Sequence, residues 1–139
     1  METDFNLQRF VDAQAPVYEK VLAELRAGRK QSHWMWFIFP QVAGLGRSEM
    51  AQKYAIASTD EAAAYLAHPV LGPRLRECAQ LVHEVDDKPI EDIFGSPDDR
   101  KFQSSMTLFA DVAPHEAVFQ ANLDKYFDGR ADSATLERV

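Results

Sequence analysis

Cysteine is nearly absent from this chain. Cys78 stands alone, so no internal disulfide can form, and the thiol fits a reducing compartment. Its neighbours Leu71, Leu75, Leu81 and Val82 recur at helical spacing, which places it as a buried, inert thiol on an apolar face. Long hydrophobic runs are also missing. The longest, Trp34 to Phe39, falls far short of the ~20 residues that span a bilayer. The opening METDFNLQRF lacks the basic start and apolar run of a secretory signal. These absences predict a cytoplasmic protein that does not engage membranes.

Other signatures are lacking as well. There is no Walker loop, no dinucleotide fingerprint, no His-Glu-x-x-His and no cysteine pair for zinc. The histidines, His33, His68, His83 and His115, show no metal-ligand spacing, so neither a metal nor a cofactor is indicated. No repeat, low-complexity tract or linker divides the chain, and residues 1–139 read as a single domain. No segment alternates apolar and polar residues over four or more positions between turn signals, which argues against a sheet.

Charge is scarce in one sign over one stretch. Between Glu24 and Glu49 there is no acid, while Arg26, Arg29, Lys30 and Arg47 all fall there. Asp86, Asp87, Glu91, Asp92 and Asp98 crowd a later one. The net charge of -7 excludes a general nucleic-acid binder, which needs a basic surface to displace counterions. The unevenness leaves two readings: a cationic site on an acidic protein, or scattered solvated charge.

What is present is helical periodicity. Phe5, Leu7, Phe10 and Val11 mark a first helix, capped by Thr3 or Asp4 and interrupted by Pro16. Val17, Val21, Leu22 and Leu25 form a second stripe ending at Gly28. Ser58 and Glu61 have the spacing of a capping box. Pro69 opens a helix reaching about Val85, and a short turn from Ile90 to Phe94 closes at Gly95. Ser96, Pro97, Asp98 and Asp99 read as a helix start with a capping serine and two acids at the positive end of the dipole. Residues 115–127 form another helix, and Ser133 caps a last turn. The fold class is all-α, about seven helices joined by short loops.

Three stretches carry candidate chemistry. In SHWMWFIFPQ, helical spacing sends Trp34, Phe37 and Ile38 into the core and leaves Trp36 beside His33 as a pocket wall. Lys30, just before it, could neutralise an anion, and Ser32 and His33 could donate hydrogen bonds to one. His33 is the candidate catalytic residue, because histidine titrates where proton transfer is useful. Next, Gly44, Leu45, Gly46, Arg47 and Ser48 form a glycine-flanked loop before a short helix. They read either as an amide cradle for phosphate or carboxylate, or as a plain turn with Ser48 as cap. Finally, Lys101, Ser104, Ser105 and Thr107 crowd one helix. The hydroxyls could satisfy the preceding turn's carbonyls, allow close packing, or face a polar pocket, and Lys101 shares a face with Ser105.

The segments RFVDAQ, ELRAGRKQSHWMWFIFPQVAGLGRS, YAIAS, EAAAYLAHPVLGPRLREC, IFG, DDRKFQSSMTLF and LDKYFDG together resemble a family of uncharacterised, mostly bacterial proteins, a domain of unknown function. The resemblance spans essentially the whole chain. It implies a mainly helical domain and assigns no catalytic residue. The label calpastatin, often attached to the family, describes a flexible repeat protein unlike this repeat-free chain.

Two functions compete. One is a cleft between the 29–48 and 98–107 stretches binding a small anionic, nucleotide- or sugar-phosphate-like ligand through Lys30, His33, Trp36, Arg47, Ser48, Lys101 and Ser105. The other is a non-catalytic interaction or regulatory module. Neither a reaction nor an oligomeric state is specified.

Overall fold

The computed structural model describes residues 5–139. These residues contain helices and no strands. The order is α1 (Gln8–Gln14), α2 (Tyr18–Arg26), α3 (Met35–Ile38), α4 (Glu49–Lys53), α5 (Thr59–Ala67), α6 (Leu71–His83), α7 (Ile90–Phe94), α8 (Asp98–Val112), α9 (Ala117–Phe127) and α10 (Ser133–Leu136). Ten helices replace the expected seven or so. Four of the ten, α3, α4, α7 and α10, have only four or five residues. So short a helix completes barely one turn, and no apolar stripe can repeat within it.

Helix ends follow local chemistry, sometimes through a neighbour of the expected residue. Gly28, at φ 71°, ends α2 with two reciprocal bonds: its amide donates to Leu25 O and the Arg29 amide to Glu24 O, each at 3.0 Å. Ser58 Oγ accepts from the Glu61 amide as expected, although Glu61 reaches back to the Ala57 amide rather than to Ser58 itself. Ser96 is not the cap of α8. Pro97 occupies that position without a side-chain bond, while Asp98 and Asp99 do lie in the first turn. Asp132, not Ser133, caps α10 by accepting from the Thr135 amide. Ahead of α6, His68 Nδ1 accepts from the amides of Val70 and Leu71, so the helix starts after Pro69. The expected cap at Thr3 or Asp4 lies outside the described residues.

Helix α8 is central, packed against α5, α7, α9 and α10, while α6 lies against α2, α5 and α9. One apolar core joins them. Its aromatic centre is Phe102, with ring centroids 5.0 Å from both Phe39 and Phe94, and Trp34 lies edge-on to Phe94 at 6.3 Å. Such pairs add to simple area burial because ring edges meet ring faces. Trp34, Phe37 and Ile38 are buried, and Cys78 is completely so. Burial pushes the Cys78 thiol up to about 12. A single parallel bridge between Val42 and Ile56 closes the 43–55 loop, with Ile56 donating to Gln41 O at 2.9 Å and accepting from Ala43 N at 2.8 Å. That closure positions the site.

Candidate functional site

The segment between α2 and α3 is held from beneath by one carboxylate. Buried Glu24 accepts from the Gln31 amide at 2.8 Å, the Ser32 amide at 3.1 Å, Ser32 Oγ at 2.5 Å and Trp34 Nε1 at 2.9 Å. Burial alone would raise its pKa. The hydrogen bonds from Ser32, Gln31 and Trp34 outweigh that and lower it to about 2. The hydroxyl of Ser32 is therefore committed to the scaffold.

Above this support two ammonium groups meet one carboxylate. Lys30 Nζ lies 2.9 Å from Asp98 Oδ2, and Lys101 Nζ lies 3.5 Å from Asp98 Oδ1. Each lysine also sits over an indole, Lys30 at 5.3 Å from the Trp34 centroid and Lys101 at 5.6 Å from that of Trp36. Their surroundings differ. The Lys30 side chain is only 7% exposed, against 27% for Lys101. The Lys30 amide is fixed as well, donating to Ile93 O at 2.7 Å.

Lys101 and half-buried Trp36 open onto a recess of about 130 Å³. Phe39 and Tyr54 form its apolar side, Gln41 and Gln52 its polar residues, and Gly44 and Gly46 its loop edge. Lys101 is the only charged side chain among its described lining residues. The loop's glycines are explained by close approach. A Cβ on Gly46 would lie 2.5 Å from that of Ala51, and one on Gly44, already at φ +98°, would lie 2.9 Å from Arg138 Nε. The guanidinium of Arg138, from the far end of the chain, thus rests against the recess edge.

The seven candidate residues are distributed unevenly. Trp36 and Lys101 line the recess, and Lys30 joins them through Asp98 without lining it. His33 is exposed and outside the lining. Arg47 and Ser48 sit on the exposed turn before α4, where Ser48 Oγ caps the helix through the Ala51 amide at 3.1 Å. Ser105 is completely buried in α8, and its hydroxyl has no partner among the described residues. The neighbouring hydroxyls have structural roles. Thr107 Oγ1 donates to Gln103 O and accepts from the Asp132 amide, both at 2.8 Å, and Ser104 Oγ lies 3.1 Å from both Arg100 O and Asp132 Oδ2. They satisfy helix carbonyls and dock the C-terminal turn.

Sequence reasoning did not single out Gln41 or Asp98, although both fall within its two stretches, and it missed Gln52, Tyr54 and Arg138. Asp98 carried a signal, an acid three residues before Lys101, but its place in a helix start accounted for it. Arg138 carried none, since nothing local ties it to Gly44. Among the described residues no group of three or more His, Cys, Asp or Glu could hold a metal ion. No helix among them is long and apolar enough to cross a membrane.

The family model described as "Protein of unknown function (DUF1810)" matches residues 4–139. A crystal structure of the conserved hypothetical protein Rv1873 from Mycobacterium tuberculosis is similar over 97% of this chain and 96% of that one. The two share 56% sequence identity and superpose with a TM-score of 0.96. No curated protein matches the chain.

Proposed function

The chain belongs to the DUF1810 family, whose function is unknown, and we propose from its site that it binds a small anionic ligand in the recess beside Trp36 and Lys101. The sharing of one carboxylate by two ammonium groups carries this reading. Asp98 is neutralised at 2.9 Å by the nearly buried Lys30. The charge of Lys101 is therefore in excess, and it stands at the mouth of a recess whose described lining contains no acid. An anion there would gain charge-assisted hydrogen bonds. Coulomb attraction at a site partly shielded from water exceeds that on an open surface. The single buried cysteine supports a reducing, cytoplasmic setting for this role.

An interaction module is less well supported. The large exposed hydrophobics among the described residues are Leu136 and Val139, both near the C-terminus and too few for a docking face.

Intrinsic tryptophan fluorescence titrated with inorganic phosphate, sugar phosphates and nucleotides tests the reading. Saturable quenching is expected in the native chain and should be lost in Lys101→Ala. A native chain that responds to none of these anions, by fluorescence or by thermal shift, overturns it.

A further inference from the structure

The size of the recess and the position of Arg138 narrow the ligand class. The recess, at about 130 Å³, is close to the ~150 Å³ of an engineered cavity that accepts benzene. It therefore has room for one six-membered ring, whereas a complete nucleotide would extend well outside it. Its walls suit a ring: Trp36, Phe39 and Tyr54 offer aromatic surface, and Gln41 and Gln52 bring amide-bearing residues to the same space. One cation lines it, and a second contacts a lining residue from outside. Lys101 lies over Trp36, and Arg138 packs on Gly44, so closely that even a methyl group there would meet its Nε at 2.9 Å.

Arg138 is suited to a second anionic contact. Its side chain is exposed, and its one hydrogen bond to the described residues is from Nη1 to Ala134 O at 2.9 Å. A guanidinium has five donors in a planar fork, so most remain available for the two oxygens of a carboxylate or phosphate. Helix α10, which brings Arg138 to the loop, is tied to α8 through Asp132, Ser104 and Thr107. The backbone that carries this cation is thus anchored to α8, and its side chain contacts Gly44.

We infer that the recess takes a single-ring aromatic or heteroaromatic acid, with the ring against Trp36 and the acid group between Lys101 and Arg138. This rests on the anion-binding reading above and adds the ring and the second cation to it. Both carboxylate and phosphate fit that chemistry.

The test titrates the full chain with benzoate, phenyl phosphate, inorganic phosphate and neutral benzamide, read by tryptophan fluorescence and thermal shift. At least one ring-bearing anion should bind about tenfold more tightly than inorganic phosphate and than benzamide. Whether benzoate or phenyl phosphate is preferred identifies the acid group. Arg138→Gln should weaken the preferred anion about tenfold, Arg138→Lys less, with the melting temperature of the free protein unchanged because the side chain is exposed. If ring anions and inorganic phosphate bind equally, the ring subsite is overturned. If Arg138→Gln binds as the native chain does, the second cation is overturned. Both outcomes leave the anion-binding reading standing. Failure of every anion to bind the native chain overturns both.

Discussion

The indole Nε1 of Trp34 donates a 2.9 Å hydrogen bond to Oε1 of Glu24, joining the most buried tryptophan of the core to a carboxylate that also holds the Gln31 and Ser32 amides. One acid on α2 thereby sets where the 28–34 segment leaves the helix, and so where Lys30 meets Asp98. Its ionised form is the one that accepts all four bonds.

Stability should accordingly depend on pH through Glu24. Its folded pKa, about 2, lies below the ordinary 4.5. The contribution is therefore complete above about pH 4.5 and lost as pH falls from there towards 2. Linkage makes this at most about 3 kcal/mol, reduced by solvent screening. Urea denaturation of the native chain and of Glu24→Gln, run from pH 7 to 3, should show a steeper acid limb in the native chain. Parallel limbs would refute the assignment.

Trp34→Ala should destabilise the protein by about 3–5 kcal/mol, as other large-to-small aromatic changes in cores do. Trp34 is 1% exposed and packs on Phe39 and Phe94. Trp36→Ala, at a half-buried wall of the recess, should cost clearly less. Equal shifts in denaturation midpoint would mean that the two indoles are not divided between core and recess.

The two lysines should separate in the same way. Lys30→Met removes the closer partner of Asp98 from a nearly buried pair. Since Lys101 remains as a second partner, the loss should be about 1–3 kcal/mol, below the ~3–5 kcal/mol for a fully orphaned buried charge. Lys101→Ala should leave the melting temperature of the free protein within about 2 °C. A larger loss from Lys101→Ala than from Lys30→Met would reverse these roles.

Cys78 should be inert in the folded protein. With its pKa pushed up to about 12 and its side chain completely buried, almost no thiolate exists at pH 8. A disulfide-exchange reagent should titrate no thiol in native buffer and one per chain in guanidinium. Rapid labelling without denaturant would show that the thiol is accessible.

Gly46→Ala should disturb the recess. Its Cβ would stand 2.5 Å from that of Ala51, another lining residue, so the 43–46 loop must shift away. We expect a cost of about 1–3 kcal/mol from overpacking, together with weaker anion quenching. Unchanged stability and binding would show that the loop moves freely.

Much of the helical framework was legible in the chain itself. The apolar stripe of α2, its stop at Gly28, the capping serine of α5 and the burial of Trp34, Phe37 and Ile38 all follow from interactions within about one turn of backbone. Such interactions depend on spacing alone. Where two adjacent residues could serve the same end, as with Ser96 and Pro97 or Asp132 and Ser133, local chemistry located the helix start but not the residue at the cap. The shortest helices were visible only as single turns, such as Ile90 to Phe94, and so fell outside the expected number, because they contain no repeat of a period.

The site belongs to the other category. That Lys30 and Lys101 approach one carboxylate, that Ser32 is committed to Glu24, and that Ser105 turns inward while Ser104 and Thr107 dock α10 are outcomes of packing between distant segments. Arg138 reaches Gly44 across more than ninety positions of chain, and no periodicity connects such partners. A charge declares its sign in the sequence, but whether it is neutralised or in excess depends on which side chains the folded core brings within a few ångströms of it.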